Sequence, residues 1–350
     1  MPNQSLAVKY RPTTFSDVVE QGSIKVILEN QLKDNSIKHA YLFCGGAGTG
    51  KTTCARIFAN EINKHKGTPI EIDAASNNSV ENVRTIIQQS RQQSLDSTYK
   101  IYIIDECHSL SNSAWQAMLK LLEEPPATAI FIFCTTDPQK IPKTILSRVQ
   151  RYDFQRISQD GIVLRLMHIL TYEGLESSYK PDAIEYIAKI ADGGMRDAIT
   201  LLDKCLAYST ELTIENVVAA LGSADYDLML HFTDSLVAGN AKEMIEQIEQ
   251  LHNQGKDLRL FTRSYTTFVL DLCKYDVTGS LEYTQLPNYY SEILGAKTVG
   301  NYYNVCRDLL KLLLGLTSDV KWDTNPKALI EANLYRFCIE VKYGNNSGTT

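Results

Sequence analysis

Residues 41–59 read YLFCGGAGTGKTTCARIFA. An apolar run breaks into glycines, Lys51-Thr52-Thr53 follows, and a helical pattern begins. Within it, GGAGTGKT at 45–52 fits the GxxxxGK[ST] phosphate-binding pattern. Gly45, Gly46, Ala47, Gly48, Thr49 and Gly50 form a loop whose backbone N–H groups can turn onto phosphate oxygens, and the positive end of the next helix adds to that field. In such a loop Lys51 neutralises β- and γ-phosphate charge, Thr52 ligates Mg²⁺, and Thr53 joins them as a nucleotide contact. The pattern requires a strand before it and a helix after it, and the flanking residues read as both.

Outward from the loop, short β-branched runs alternate with helical patterns through the first half of the chain. Strands are expected at Ala40–Cys44, Pro69–Ala74, Tyr99–Asp105 and Ala129–Thr135, with helices near Lys51–Asn63, Ser79–Ser94 and Ser111–Leu122. Continuous apolar runs mark strands buried on both faces, so the reading is a mainly parallel sheet between helices. Ligands then bind at the carboxyl ends of the strands. After Ser158 the strand signal stops. Asp160–Leu175, Pro181–Asp192, Met195–Tyr208 and Thr213–Leu221 have helical spacing, as do Asp225–Ala238, Ala241–Gln254, Leu258–Tyr275, Val299–Leu316 and Lys327–Val341. A looser link is expected near 276–297. The wide apolar stripe of RDLLKLLLGL, 307–316, suggests burial against several partners, other subunits among them.

The strand YKIYIIDECH, 99–108, ends in adjacent carboxylates. In phosphate-loop enzymes an Asp in this place holds Mg²⁺, which assigns the metal to Asp105 and Thr52. A second acid, Glu106, polarises an attacking water and favours hydrolysis of a nucleoside triphosphate. Cys107 and His108 lack partner ligands at metal spacing and read as structural. The strand AIFIFCTT, 129–136, ends in hydroxyls that either cap the strand or face the γ-phosphate. Arg148, in Ser-Arg-Val, and Arg196, in GGMRDA, are each either solvated surface or phosphate-directed charge.

Composition sets bounds on partners. The 350 residues, 44% hydrophobic and 22% charged, suit an ordinary protein of two or three domains. No window approaches a membrane span, and the N-terminus lacks the apolar core of a signal peptide, so a cytoplasmic protein with no membrane partner is expected. The eight cysteines include no CxxC pair, and several lie in strand-like runs, so buried thiols are expected. The net charge of −6 argues that any nucleic-acid contact is a local patch or shared among subunits.

Taken in order, GGAGTGKT, EIDAASNN (71–78), IYIIDECHSLS (101–111), LKLLEEPP (119–126), TTDPQKIPKTILSR (135–148) and GGMRDAITLLDK (193–204) resemble the AAA+ clamp-loader ATPases, in the gamma/tau group of bacterial DNA polymerase III subunits. YRPTTFSDVVEQ, 10–21, looks like that family's adenine-side segment. The resemblance is dense from Leu6 to Tyr208 and thinner to Val341. It implies an AAA+ core at 1–158, an all-α lid at 159–223, an all-α collar at 224–343 that assembles pentamers, and a disordered tail at 344–350. By position, Tyr10, Arg11, Pro12, Val18 and Val19 surround adenine, and Thr136 is sensor 1. Arg148 acts on ATP held by an adjacent subunit, and Arg196 is sensor 2, reaching ATP from the lid of its own chain. Arg84 and Lys120 lie on helices that face DNA in the family, although exposed charge is the default for both. Val149 stands where the family usually has Cys.

The implied function is an ATP-driven motor subunit that opens a ring-shaped sliding clamp and places it on primer–template DNA, using ATP and Mg²⁺. The family's four-cysteine zinc module is missing from FANEINKHKGTPIEID, 58–73, so no zinc is expected. The chain ends after the collar, which reads as a gamma-like motor without the tau extension. Two other readings remain. One is a different AAA+ DNA motor, a helicase or helicase loader, although the Leu/Tyr-rich segment after 225 looks unlike a winged helix. The other is a clamp-loader scaffold without hydrolysis, against which Lys51, Thr52, Asp105, Glu106 and Arg196 argue together.

Overall fold

In the computed structural model, residues 4–94, 96–221, 225–297 and 300–344 are described. The chain divides into two compact units, 1–213 and 214–350. The first opens with α1 (Leu6–Lys9) and α2 (Gly22–Lys33). It then alternates β1 (Ala40–Cys44), α3 (Lys51–Ile62), β2 (Ile70–Asp73), α4 (Val80–Ser90), β3 (Lys100–Asp105), α5 (Asn112–Glu123), β4 (Ala129–Thr135), α6 (Lys143–Leu146) and β5 (Gln150–Asp153). Helices α7 (Gln159–Tyr172), α8 (Pro181–Ile190) and α9 (Met195–Tyr208) complete it.

The five strands form one parallel sheet in the order β2-β3-β4-β1-β5. Its central strands bury both faces, as their unbroken apolar runs require. Tyr41, Phe43, Ile101, Ile103, Ile130 and Ile132 pack on one side against α2 and α3 residues such as Leu28 and Phe58. Leu42, Tyr102, Ile104, Phe131 and Phe133 pack on the other against α4 and α5 residues such as Val83, Trp115 and Met118. This period of two follows from the strand pleat.

Register sets the site. Cys44 of β1 pairs with Thr135 of β4, and Ile104 of β3 pairs with Phe133. Asp105 at the end of β3, and the residues that follow the strands, Gly45, Glu106 and Thr136, therefore lie along the same edge of the sheet. Ser79, Ser111 and Ser158 cap α4, α5 and α7 by accepting backbone N–H bonds, which fixes where each helix starts.

The second unit contains α10 (Ile214–Leu221), α11 (Asp225–Val237), α12 (Ala241–Asn253), α13 (Leu258–Thr278), α14 (Tyr290–Ala296), α15 (Tyr302–Val320) and α16 (Pro326–Gly344). Its described residues hold no strand. Phe232, Tyr265, Phe268, Leu309 and Leu313 belong to its core, and Thr233 and Tyr265 hydrogen-bond through their hydroxyls at 2.9 Å inside it. In the stripe at 307–316, Leu309, Leu313 and Leu316 are buried while Leu314 is exposed.

Five elements depart from expectation. Helices α1, α2 and α6 and strand β5 carried no clear signal, and the link near 276–297 contains α14. The expected boundary at 223 lies outside the described residues; of the expected tail at 344–350, Gly344 instead closes α16, and the rest lies outside the described residues. All eight cysteines are free thiols, buried except for half-buried Cys273. Among the described residues no helix is long and apolar enough to cross a membrane, and no three His, Cys, Asp or Glu side chains converge as a metal-ligand set.

Candidate active site

The loop after β1 is held by its own backbone and by the sheet. Gly45 N–H donates to Thr135 O at 3.2 Å, and Thr49 Oγ1 donates to Gly46 O at 2.9 Å. Gly48 (φ 70°) and Gly50 (φ 98°) adopt left-handed backbone that side-chain-bearing residues avoid. Gly50 is the N-cap of α3 and offers no capping side chain, so the first N–H groups of α3 are left for an anion.

Lys51 is only 6% exposed. Its Nζ donates to Gly45 O at 2.9 Å and Gly46 O at 2.7 Å, and it forms no carboxylate ion pair within 4 Å among the described residues. Burial lowers its pKa, as expected for a cation without a close counter-charge. A phosphate would supply that charge, so the loop fits a nucleotide. The first polar contact across the site is Thr52 Oγ1 donating to Asp105 Oδ2 at 2.8 Å. A hydroxyl and a carboxylate in contact beside a phosphate loop are oxygen donors suited to Mg²⁺. Burial pushes the nearby Cys44 thiol up to about 11 and also raises Cys107 and Cys134 well above the usual thiol range, so these thiols stay protonated and inert.

Glu106 sits at φ 46°, a left-handed conformation for a residue with a side chain. Its carboxylate accepts from Thr136 Oγ1 at 2.9 Å, on Oε2. Thr135 is wholly buried and is turned elsewhere, its Oγ1 accepting from Asp137 N–H at 3.0 Å. Of the two hydroxyls ending β4, only that of Thr136 therefore reaches the acid.

A cavity of about 330 Å³ opens over this edge of the sheet. Ala47 to Thr53, Asp105 and Glu106 line one part, and Tyr10, Arg11, Pro12, Val18 and Val19 line another. Met195 N–H donates to Gly48 O at 3.0 Å, which seats the first turn of α9 on the loop and brings Arg196 to the cavity wall. Gly45 and Gly46 lie beneath, where their carbonyls hold Lys51. Ile157, Arg165, Met195 and Ile199 also line the cavity and were not anticipated. One helical turn separates Met195 and Arg196 from Ile199, so the periodicity of α9 contained that signal; nothing near Arg165 in sequence did. The Arg165 guanidinium donates to Tyr10 O at 2.8 Å, and Tyr10 Oη donates to Glu173 at 2.7 Å.

Arg148 lies outside the cavity. Its guanidinium donates to Glu123 Oε1 and Thr144 O, each at 2.7 Å, at a half-exposed surface. Arg84 and Lys120 also lie elsewhere, in a groove between α4 and α5 of about 460 Å³ that Arg91 shares.

Fold comparison fits this arrangement. Thermotoga maritima RuvB, described as a Holliday junction branch migration motor, superposes with a TM-score of 0.52 at 15% identity, over 75% of this chain and 91% of its own. At that identity the likeness is one of fold. The sheet order, phosphate loop, acidic pair and helical lid define the class: this is the AAA+ ATPase fold.

Sequence comparison narrows the class. Family profiles match for the DNA polymerase III delta subunit over 63–158, the ATPase lid domain of the DNA polymerase III clamp loader subunit over 161–211, and domain III of DNA polymerase III subunits gamma and tau over 212–342. The DNA polymerase III subunit gamma of Buchnera aphidicola is 30% identical over 98% of this chain and 100% of that protein. Subunit tau of Bacillus subtilis is 36% identical over 97% of this chain and 64% of that protein; for Escherichia coli tau the figures are 36%, 73% and 43%. The chain belongs to the gamma/tau family of DNA polymerase III clamp-loader subunits. It spans less than two thirds of the length of these tau relatives.

Proposed function

We propose that this chain binds and hydrolyses ATP as a motor subunit of a sliding-clamp loader. The observation that carries the reading is the convergence of Lys51, the Thr52–Asp105 pair, Glu106 and the lid arginine Arg196 on one cavity, in a chain of this family. Adenine lies between Tyr10–Pro12 and Val18–Val19. The loop N–H groups and Lys51 hold the phosphates. Thr52 and Asp105 would hold Mg²⁺, which offsets phosphate charge when bound. Glu106 takes a proton from water as the water oxygen attacks the γ-phosphorus and the bond to the β-phosphate oxygen breaks, giving ADP and phosphate. Thr136 orients Glu106 through Oε2, and Arg196 stabilises charge on the transferring group.

Arg148 is placed away from its own chain's cavity, as a group acting on a neighbour's ATP would be. We assign 1–158 to the core, 159–223 to the lid and 224–343 to a collar that assembles the loader, whose other subunits, clamp and primer–template DNA are its partners. The Arg84–Arg91–Lys120 groove offers cations for DNA phosphates despite the net negative chain. The test is ATPase activity of the assembled complex with clamp and DNA. Stimulation that requires both the clamp and a primer end supports a loader; stimulation by DNA alone points to a different motor, and no hydrolysis points to a scaffold.

A further inference from the structure

We infer that Arg165 and Glu173, both of the lid, are positioning residues for Tyr10, so that one wall of the base pocket travels with the lid while the other stays on the core. This rests on the proposed placing of adenine between Tyr10–Pro12 and Val18–Val19.

Tyr10 is the C-cap of α1, a helix of four residues whose N-cap Ser5 makes no side-chain cap bond. One turn is too short to hold itself in water, so its place is set from outside. The side-chain hydrogen bonds that reach it come from α7 and α9. Leu6 N–H donates to Asp203 Oδ2 at 3.2 Å, and Lys9 Nζ donates to Glu173 Oε1 at 2.6 Å. Tyr10 Oη donates to that same Glu173 oxygen at 2.7 Å. The Arg165 guanidinium takes the backbone side of the residue, donating to Tyr10 O at 2.8 Å. The Tyr10 ring also stacks on Tyr172, with centroids 6.2 Å apart. Backbone, hydroxyl and ring of Tyr10 are therefore all held by α7 or by its C-cap, Glu173.

The facing wall is anchored elsewhere. Val18 is buried with Phe15, Leu28 and Phe58 against the sheet, and Val18 O accepts from Lys25 Nζ of α2 at 2.8 Å. Gln21, only 7% exposed, clasps the backbone after β5: its amide donates to Gln155 O at 2.7 Å and accepts from Gln155 N–H at 3.2 Å. Val18 and Val19 thus sit on the core and Tyr10 on the lid, and the width of the slot between them follows the place of α7. A guanidinium on a carbonyl, and a carboxylate under two donors, make charge-assisted bonds, which are stronger than neutral ones. Such bonds suit side chains that must carry the position of one helix to the wall of a binding site.

The probes are ATP and inorganic tripolyphosphate, which carries phosphates without a base, each competing with a fluorescent ATP analogue for the full chain in the presence of Mg²⁺. The readout is the ratio of the two affinities, which cancels charge effects and any loss of folded protein common to both. Arg165→Ala and Glu173→Ala are each expected to lower the preference for ATP about three- to tenfold, the order of one hydrogen bond. The two substitutions change charge in opposite senses, so a fall in both is not electrostatic. Glu173→Gln keeps an acceptor for the Tyr10 hydroxyl and should hold the ratio near that of the parent. Tyr10→Phe should lower it as Glu173→Ala does, and the two combined no further. An unchanged ratio in both Ala variants, opposite changes in the two, or equal losses in Glu173→Gln and Glu173→Ala would overturn the inference and leave the adenine pocket standing. A parent chain with no preference for ATP over tripolyphosphate would overturn the adenine reading, and this inference with it.

Discussion

Gly48→Ala tests whether the lid is seated on the phosphate loop. A Cβ at Gly48 would lie 2.9 Å from Gly194 Cα, 3.1 Å from its carbonyl carbon and 3.3 Å from Arg196 N. All three are backbone atoms at the start of α9, which cannot rotate away. Left-handed backbone with a side chain costs about 1–2 kcal/mol, and overpacking of this kind typically adds about 1–3 kcal/mol. Gly50→Ala is the control, because Gly50 is also left-handed but its Cβ would meet nothing within 4 Å. The difference between the two variants therefore isolates the lid contact, at about 1–3 kcal/mol. In a unit of this size each kcal/mol lowers the melting temperature by about 2–4 °C. Relief of the overlap must move α9, and with it Arg196, away from the phosphates. Misplacement on the order of 1 Å costs up to about 10²-fold in rate. Thermal melts and ATPase assays of both variants, alone and combined with Arg196→Ala, give the answer. Gly48→Ala should melt lower than Gly50→Ala and lose much less rate once Arg196 is absent. Equal melting and unchanged loss in the Arg196→Ala background would refute it.

Three further outcomes are expected. Arg148→Ala removes a half-exposed ion pair worth about 0–1 kcal/mol, so the isolated chain should melt almost unchanged, while the assembled ATPase falls by up to about 10³-fold; an equal loss in isolated monomer would refute action on a neighbour. Substituting both Arg84 and Lys120 by Ala should weaken DNA binding across all sequences and reduce the log–log salt slope by about 2, as for two phosphate contacts; an unchanged slope would mark them as solvated surface. Hydrogen bonds from Lys9 and Tyr10 hold the Glu173 carboxyl below its usual range. A lowered acid pKa stabilises the fold above the ordinary value of about 4.3 and loses that contribution as pH falls through the folded value. The melting temperature should therefore fall less between pH 5 and pH 3 in Glu173→Gln than in the parent protein.

What could be read in the sequence follows burial. The strands at 40–44, 100–105 and 129–135 are continuous apolar runs because both faces of the sheet are covered, and their expected bounds lie within one residue of those observed. Strand β5, QRYD, is an edge strand in which only Tyr152 is buried, so it has no apolar period to detect. Helix α2 begins after left-handed Gln21, with no side-chain cap to announce it. At the site, the phosphate loop and acidic pair were legible because their spacing is local. Arg165 reaches the cavity only through the fold of α7 beside Tyr10, and the contact of Glu173 with Tyr10 joins residues far apart in the chain, which no periodicity encodes.

In the proposed function Glu106 drives hydrolysis of ATP held by Lys51 and coupled to a clamp. The most direct measurement compares parent and Glu106→Gln complexes, assembled with sliding clamp and primer–template DNA, for steady-state ATP hydrolysis and retained nucleotide. Hydrolysis should fall by about 10²–10⁴-fold, with ATP still bound and the clamp held in the complex. Hydrolysis at the parent rate, or loss of ATP binding together with activity, would contradict it.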